Sequence, residues 1–564
     1  MYISRYYTFI GLIWALLVSP ALMGQTVDTP PKLVVGVVVD QMRFDQLYKY
    51  RSRYGQDGFN RLLREGFNFK NTNYNYVPTL TAPGHASIAT GAPPSVHGII
   101  GNSWFDRSLG RVVSNVEDST ATQVGTQLPS PYGLSPRRLL ATTISDQLRM
   151  ATNYRAKVIS VSLKDRGAIL PGGHTANAAF WHDWETSPGH FVSSSYYMEE
   201  LPQWVQRFNQ QEKSNAYLDQ TWNTLYPIAT YTASAADDNP YERAIGGKGQ
   251  PTFPYDFKKL RERYRELGAE YQLLWLSPYG NSLLTEFALE ALKQEGLGED
   301  ATTDILWISY TVTDVIGHTL GSQAVEMEDI FLRLDQNIAD LLSALDQKVG
   351  KGNYLLFLTS DHGAIPTASY LKQQQVPTGL VPVGRYKMAL ANYLNQKYGA
   401  YAWIQHFDYE QLYLDRALIA ERKLHLPDVQ QEAASFLMGL EGVADASTAY
   451  QLQTMAYGEG RRNLVQRGYN AKRSGDVLLT FEPGVVYDPG TNLTIDRVKG
   501  SSHGTGYAYD THVPMLWFGS GIPKGSSVRQ VTATDIAPTL ALFLDIQYPN
   551  GSMGQPLGEL FDNK

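Results

Sequence analysis

Short, strongly apolar runs recur along the chain at Leu33 to Val39, Lys157 to Leu163, Ile305 to Tyr310, Tyr354 to Thr359 and Val513 to Phe518, each followed by a polar or glycine-containing segment. The first, Leu-Val-Val-Gly-Val-Val-Val, has no polar position at all, which is the pattern of a central parallel strand buried on both faces. Between the runs lie stretches of helical periodicity, such as Glu286 to Glu295 and Asp329 to Leu345. Strand and helix therefore alternate, and the alternation predicts an α/β fold. Sheets of this kind bind ligands beyond the carboxyl ends of their strands, and Asp40, Lys164, Asp314 and Asp361 all fall at that position.

Two stretches break the alternation. Residues from about 173 to 272 are rich in Tyr, Trp, Asn and Ser with few apolar runs, and residues from about 364 to 499 mix strand-like and helical pieces. Both read as insertions that form a cap or small subdomain over the site. No internal repeat or low-complexity tract is visible, and the residues after Leu557 read as a polar tail.

With 564 residues, 43% of them hydrophobic and 18% charged, the chain is long enough for a large core. The formal net charge of −7 is mild and Lys and Arg are scattered, so a nucleic-acid partner is not expected. Residues 1–24 have the layout of a secretory signal: Met-Tyr-Ile-Ser-Arg, an apolar stretch from Tyr7 to Val18, then small residues up to Gly24. The expected mature chain starts near Gln25 and is periplasmic or secreted, with a retained anchor as the rival reading; no other segment is long and apolar enough to span a bilayer. The absence of cysteine excludes disulfides and thiolate ligands, so any metal must be held by oxygen and nitrogen.

That restriction draws attention to two pairs. Asp314 and His318 stand four apart, on one face of a helical turn, and Asp361 and His362 are adjacent just after an apolar run. Together they look like half of a metal site. Taken singly, Asp314 and His318 also fit a surface i,i+4 pair, Asp40 a turn or helix cap, and His503 an ordinary loop residue. Thr81, in Pro78-Thr79-Leu80-Thr81-Ala82-Pro83-Gly84-His85, sits where a helix N-terminus favours negative charge on its oxygen; the competing reading is a simple N-cap.

The motifs Val-Val-Val-Asp at Asp40, Pro-Thr-Leu-Thr-Ala-Pro-Gly-His at Thr81, Gly-Ile-Ile-Gly-Asn at Asn102, Ser-Leu-Lys-Asp-Arg-Gly-Ala at Lys164 and Arg166, Thr-Asp-Val-Ile-Gly-His, Ser-Asp-His-Gly and Ser-Ser-His-Gly-Thr at His503 occur in that order. In this, nearly the whole mature chain resembles the alkaline phosphatase superfamily, and within it the phosphate-irrepressible alkaline phosphatases related to nucleotide pyrophosphatases/phosphodiesterases. The resemblance implies a three-layer α/β/α sandwich with a mostly parallel central sheet, and two Zn²⁺ ions. Asp314, His318 and His503 would hold one ion; Asp40, Asp361 and His362 the other, with Thr81 as its remaining ligand and as the nucleophile. A phosphothreonine intermediate would form and be hydrolysed.

Substrate class turns on Asn102, Lys164 and Arg166. A phosphate monoester carries two negative charges, and two cations plus an amide beyond one strand suit it, whereas a diester has one charge fewer and an extra group to house. The resemblance associates this combination with monoesterases; otherwise Lys164 and Arg166 are solvated loop charges. The expected activity is that of an exported alkaline phosphatase acting on small-molecule phosphate esters as a monomer, with a phosphodiesterase or nucleotide pyrophosphatase on the same scaffold as the alternative. A sulfatase is disfavoured, because no Cys/Ser-x-Pro-x-Arg run surrounds Thr81. His85 is expected to pack or to make a supporting hydrogen bond, and the aromatic group from Phe180 to Trp184 to line either a substrate mouth or a packing surface.

Overall fold

The computed structural model describes residues 30–561, apart from 127–132, 186–188, 246–249, 409, 489 and 491–492. The stretch read as an export signal lies outside the described residues. Within them, no helix is long and apolar enough to cross a membrane.

The apolar runs become the strands of one ten-stranded sheet. Its centre is built from β1 (Leu33–Val39), β2 (Val158–Ser162), β3 (Ala178–Asp183), β4 (Asp304–Tyr310), β5 (Tyr354–Thr359) and β6 (Met515–Gly519), in the spatial order β6-β5-β1-β4-β2-β3. From β5 to β3 every neighbour is parallel, with Val39 opposite Tyr310 and Val38 opposite Thr359. The mostly parallel α/β architecture matches the expectation from the sequence.

Alternation along β1 explains why it carries no polar residue. Val35, Val37 and Val39 enter the hydrophobic layer on one face, and Val34 and Val38 enter the layer on the other. Each buried valine contributes about 1.5–3 kcal/mol relative to exposure, so the central strand is fixed in register by both layers at once. Gly36 interrupts the valines for a steric reason: a Cβ there would lie 2.5 Å from the Trp307 ring.

The run ending at Phe518 forms β6, which is antiparallel to β5. Burial on two faces makes a strand apolar whichever way it points, so direction is not written in the run.

The stretch from 173 to 272 differs from its reading as a separate cap. Ala178–Asp183 is β3, and His190–Ser194 pairs with it as a further strand of the same sheet. Beyond them, Trp204, Phe208, Trp222, Tyr255 and Phe257 join the same core as β1. The aromatic group is thus mainly a packing surface: Phe180 is fully buried and meets Trp204 and Phe287 edge-on at 5.6 Å. The sequence signal failed because Ala-Ala-Phe-Trp-His-Asp lacks the β-branched residues that mark the other strands.

From 364 to 499 the chain builds its own four-stranded antiparallel sheet, from Ile404–Asp408, Gln411–Leu414, Val477–Phe481 and Val443–Thr448. Val383–Tyr398 and Leu426–Met438 pack on it around a core that includes Leu390, Trp403, Leu412 and Leu437.

Candidate metal centre and active site

Chain turns at the ends of β1, β4 and β5 deliver the carboxylates. Asp40 follows β1 directly; its N–H donates to Tyr310 O at 2.8 Å, and its carbonyl accepts from Thr313 Oγ1 at 2.5 Å. Asp361 and His362 follow β5, where the Ser360 hydroxyl accepts from Met42 N–H at 2.9 Å and donates to His362 O at 2.7 Å. Four helices frame these turns: α1 (Thr81–Thr90), α2 (Asp165–Gly172), α3 (Val312–Leu320) and α4 (Val325–Leu345). Asp314 and His318 lie one turn apart on α3, so both project from one face.

Six of the residues singled out gather into two groups, Asp314/His318/His503 and Asp40/Asp361/His362, each with ligand atoms within 4.8 Å of one another. In the first, Asp314 Oδ1 is 3.1 Å from His318 Nε2 and 3.6 Å from His503 Nε2, and the two Nε2 atoms are 3.2 Å apart. In the second, His362 Nε2 is 3.4 Å from Asp40 Oδ1 and 3.7 Å from Asp361 Oδ2. The groups adjoin, because the His362 and His503 rings stack with centroids 3.6 Å apart.

The other ring nitrogen of each histidine is committed elsewhere. Nδ1 of His318 bonds Ser501 O at 2.9 Å, that of His362 bonds Gly363 O at 2.9 Å, and that of His503 bonds Thr79 O at 2.8 Å. A carbonyl only accepts, so each Nδ1 carries the hydrogen and, in the neutral rings, each Nε2 presents a lone pair. Two lone pairs then face each other 3.2 Å apart in the first group. Backbone carbonyls that fix a tautomer in this way are what metal-ligating imidazoles use.

Lys164, the N-cap of α2, joins the groups: its ammonium is 2.7 Å from Asp40 Oδ2 and 2.5 Å from Asp314 Oδ2. It is 4% exposed, so it is not a solvated loop charge. Burial, with Asp314 and Asp361 adding to it, drives the Asp40 carboxyl well above its ordinary value. At Asp314 burial acts the same way, but Lys164 and then His318 outweigh it and hold that carboxyl well below the usual range. Burial first, and then the nearness of the His362 and His318 rings, disfavours a second proton on His503 and holds it well below the normal histidine value.

Thr81 is the first residue of α1, after Leu80 as N-cap; it does not cap the helix itself. It is 2% exposed, and its Oγ1 lies 3.5 Å from His362 Nε2. Asn102 Oδ1 accepts from Ala82 N–H at 2.9 Å, which leaves its amide NH₂ as a donor beside the start of α1. Arg166 lies in the first turn of α2, half-buried; its NH1 is 3.6 Å from Asp165 Oδ1, and its buried Nε has no hydrogen-bond partner. No hydrogen bond or ion pair joins its guanidinium to the six clustered residues. His85 packs beneath Thr81, bonding Thr81 O at 2.9 Å and Ser309 Oγ at 2.8 Å and reaching Asp361 Oδ2 at 3.3 Å.

Comparison with known proteins places this arrangement. A family model described as type I phosphodiesterase / nucleotide pyrophosphatase matches residues 34–505. The chain belongs to that family. Alkaline phosphatase PhoV of Synechococcus elongatus is 43% identical over 547 residues, covering 96% of this chain and 95% of that protein. Alkaline phosphatase PafA of Elizabethkingia meningoseptica is 41% identical over 551 residues, covering 97% and 98%. The crystal structure of wild-type PafA superposes with a TM-score of 0.88 over 94% of this chain and 99% of that one. Murine ectonucleotide pyrophosphatase / phosphodiesterase 5, at 15% identity and a TM-score of 0.51, shares the fold. The resemblance to the alkaline phosphatase superfamily is therefore borne out.

Two residues of this phosphodiesterase-family site escaped the sequence reading. Gln41 adopts a positive φ of 65°, donates Nε2–H to Asp314 Oδ1 at 2.6 Å and receives Asp361 Oδ1 on its N–H at 3.1 Å, so it ties one group to the other. Its only signal was adjacency to Asp40. Glu410, from the second inserted stretch, lines a cavity beside Asn102, Leu80 and Gly504, and burial with Asp510 pushes its carboxyl up to about 8. No motif surrounds it.

The fit between α1 and the Asp361 turn yields a direct test. A Cβ on Gly84 would sit 2.4 Å from Asp361 O, so Gly84→Ala must part the helix that carries Thr81 from the turn that carries Asp361 and His362. A displacement of that kind lowers kcat by about 10²-fold; kcat and bound metal measured on the same preparation check this, and unchanged turnover would show that the spacing is not critical.

Proposed function

We propose that the protein is an exported phosphomonoesterase that hydrolyses small phosphate esters through a phosphothreonine at Thr81, with two Zn²⁺ ions as cofactors. The observation that carries this reading is the convergence of three oriented imidazole lone pairs and three carboxylates beside the Thr81 hydroxyl. The donor set fits the metal. It contains only nitrogen and oxygen, and the buried Asp40 Oδ1 and Asp361 Oδ2 have no hydrogen-bond partner. Asp314, His318 and His503 would hold one ion, and Asp40, Asp361 and His362 the other. When bound, the ions lower the pKa of a hydroxyl and neutralise the attacking and leaving oxygens of an in-line displacement.

The protein's own groups account for the remainder. α1 points its N-terminus at the reacting phosphoryl group, where its dipole favours negative charge. Thr81 Oγ bonds to phosphorus as its proton departs, the ester P–O bond breaks, and the alcohol leaves with a proton. Water then attacks the phosphothreonine, the new P–O bond displaces Thr81 Oγ, and inorganic phosphate is released. Asn102 and the Arg166 guanidinium supply donors to the oxygens not taken by the ions, and Lys164 holds Asp40 and Asp314 in place while adding positive charge.

Those donors favour a monoester over the diester alternative. Arg166→Ala lowers kcat/KM for p-nitrophenyl phosphate by about 10²–10³-fold, the usual cost of losing one oxyanion donor. The rate on bis(p-nitrophenyl) phosphate falls far less, since a diester has one charge fewer to satisfy. A wild-type preference for the diester would overturn the assignment.

A further inference from the structure

A cavity adjoins the reacting groups. One wall includes Leu80, which precedes Thr81, together with Asn102 and Gly504, which follows His503. The opposite wall comes from the second inserted stretch, through His406, Glu410 and Tyr413. Backbone hydrogen bonds fix both walls: Thr79 N–H donates to Gly504 O at 3.2 Å, and Leu479 N–H donates to Glu410 O at 2.7 Å. A Cβ on Gly504 would lie 3.6 Å from Leu80 Cδ2 and 3.7 Å from Glu410 Oε1, so the Glu410 carboxylate stands across from the residue next to His503.

Charge in this cavity has one sign. Its lining includes Asp408 and Glu410 and neither lysine nor arginine. Asp408 is engaged by the Tyr487 hydroxyl, whereas among the described residues no hydrogen bond or ion pair engages the Glu410 carboxylate. His406 adds no cation, because burial holds it below the ordinary histidine value. The rings are already committed: Phe105 stacks on His406 at 5.4 Å, and the Arg107 guanidinium, paired with Asp476 at 3.0 Å, lies 4.7 Å from the Tyr413 ring centre. They form an apolar wall, and Glu410 is the charge left uncompensated.

In-line displacement fixes which way the departing alcohol points. Thr81 Oγ1 lies beside His362, so the leaving oxygen lies on the far side of phosphorus, toward the adjoining group that contains His503, and the alcohol beyond it enters the cavity. On the phosphomonoesterase reading, which this inference rests on and deepens, we propose that the cavity is the leaving-group subsite and that Glu410 selects esters whose alcohol carries an ammonium group over neutral or anionic ones. A carboxylate shielded from bulk water attracts a cation and repels an anion more strongly than one in open solvent. Because Glu410 is held by the backbone of the inserted sheet, that preference is built into the fold and needs no closure over the substrate.

Phosphocholine and its carbon isostere dimethylbutyl phosphate share a shape and differ by one positive charge. The ratio of their kcat/KM values, compared between wild type and variant, therefore reads that charge. At about pH 9, above the value of about 8 to which burial pushes the Glu410 carboxyl, the carboxylate is ionised. Glu410→Gln should lower the ratio about tenfold, and should raise kcat/KM for phosphoglycolate, whose leaving group is anionic, relative to the neutral ester. Val112, exposed on the rim of the same cavity, gives a second variant in case Glu410→Gln fails to fold: Val112→Lys places a cation there and should lower the ratio as well. An unchanged ratio in folded Glu410→Gln, or in Val112→Lys where that variant does not fold, would overturn the inference; both esters would still be turned over, leaving the monoesterase reading intact. Turnover of neither ester by the wild type would overturn that reading, and the leaving-group assignment with it.

Discussion

Thr81→Ala lowers turnover of a phosphate monoester by about four to six orders of magnitude, the scale on which deletion of a covalent nucleophile is felt. The size follows from position. Thr81 Oγ1 is the hydroxyl oxygen hydrogen-bonded to His362 Nε2, at 3.5 Å. The fold tolerates the change, because Thr81 is not the N-cap of α1 and its hydroxyl satisfies no orphan helix N–H. Asp40, Asp361 and His362 stay in place, so metal content remains that of the wild type while kcat collapses. Thr81→Ser restores a hydroxyl and recovers a substantial part of the rate. Metal analysis, thermal melting and kcat on p-nitrophenyl phosphate separate loss of the nucleophile from loss of the site; undiminished turnover in Thr81→Ala would falsify the covalent route.

What the sequence disclosed follows from how local each signal is. β1 was legible because burial on both faces removes every polar residue from it, and the Asp/His pairs were legible because their spacing is set by one strand end or one helical turn. β3 was not, since its alanines and aromatics are equally at home in a cap, and its place is decided by pairing with β2 through Ile159 and Val161. The clustering of Lys164 with Asp40 and Asp314 spans separations of 124 and 150 residues, which no periodicity encodes. Gln41 lies deeper still: its role rests on a left-handed backbone conformation at a non-glycine residue, a local cost accepted where the surroundings fix it. Sequence therefore located the chemistry at strand ends, whereas the manner in which the two groups are locked together emerged only from the packing.

Metal removal is expected to abolish activity and to loosen the protein at its centre. The two groups bring Asp40, Asp314 and Asp361 close enough that Asp314 and Asp361 both raise the Asp40 carboxyl, against the single ammonium of Lys164. Two cations would over-compensate these charges and engage the free lone pairs; without them, a buried carboxylate lacks a counter-charge, at a cost of about 3–5 kcal/mol. Exhaustive chelation should therefore remove turnover and lower the melting temperature together, and Zn²⁺ addition should restore both. His503→Ala divides the effects. His503 is anchored by Thr79 O and stacks on His362, so its loss removes an imidazole from the first group and a packing face from the second. That variant should retain less than the full complement of zinc and need added Zn²⁺ for any measurable rate. A chelator-treated protein that kept its rate, or a His503→Ala variant with wild-type zinc, would mean that the convergent lone pairs serve hydrogen bonding alone.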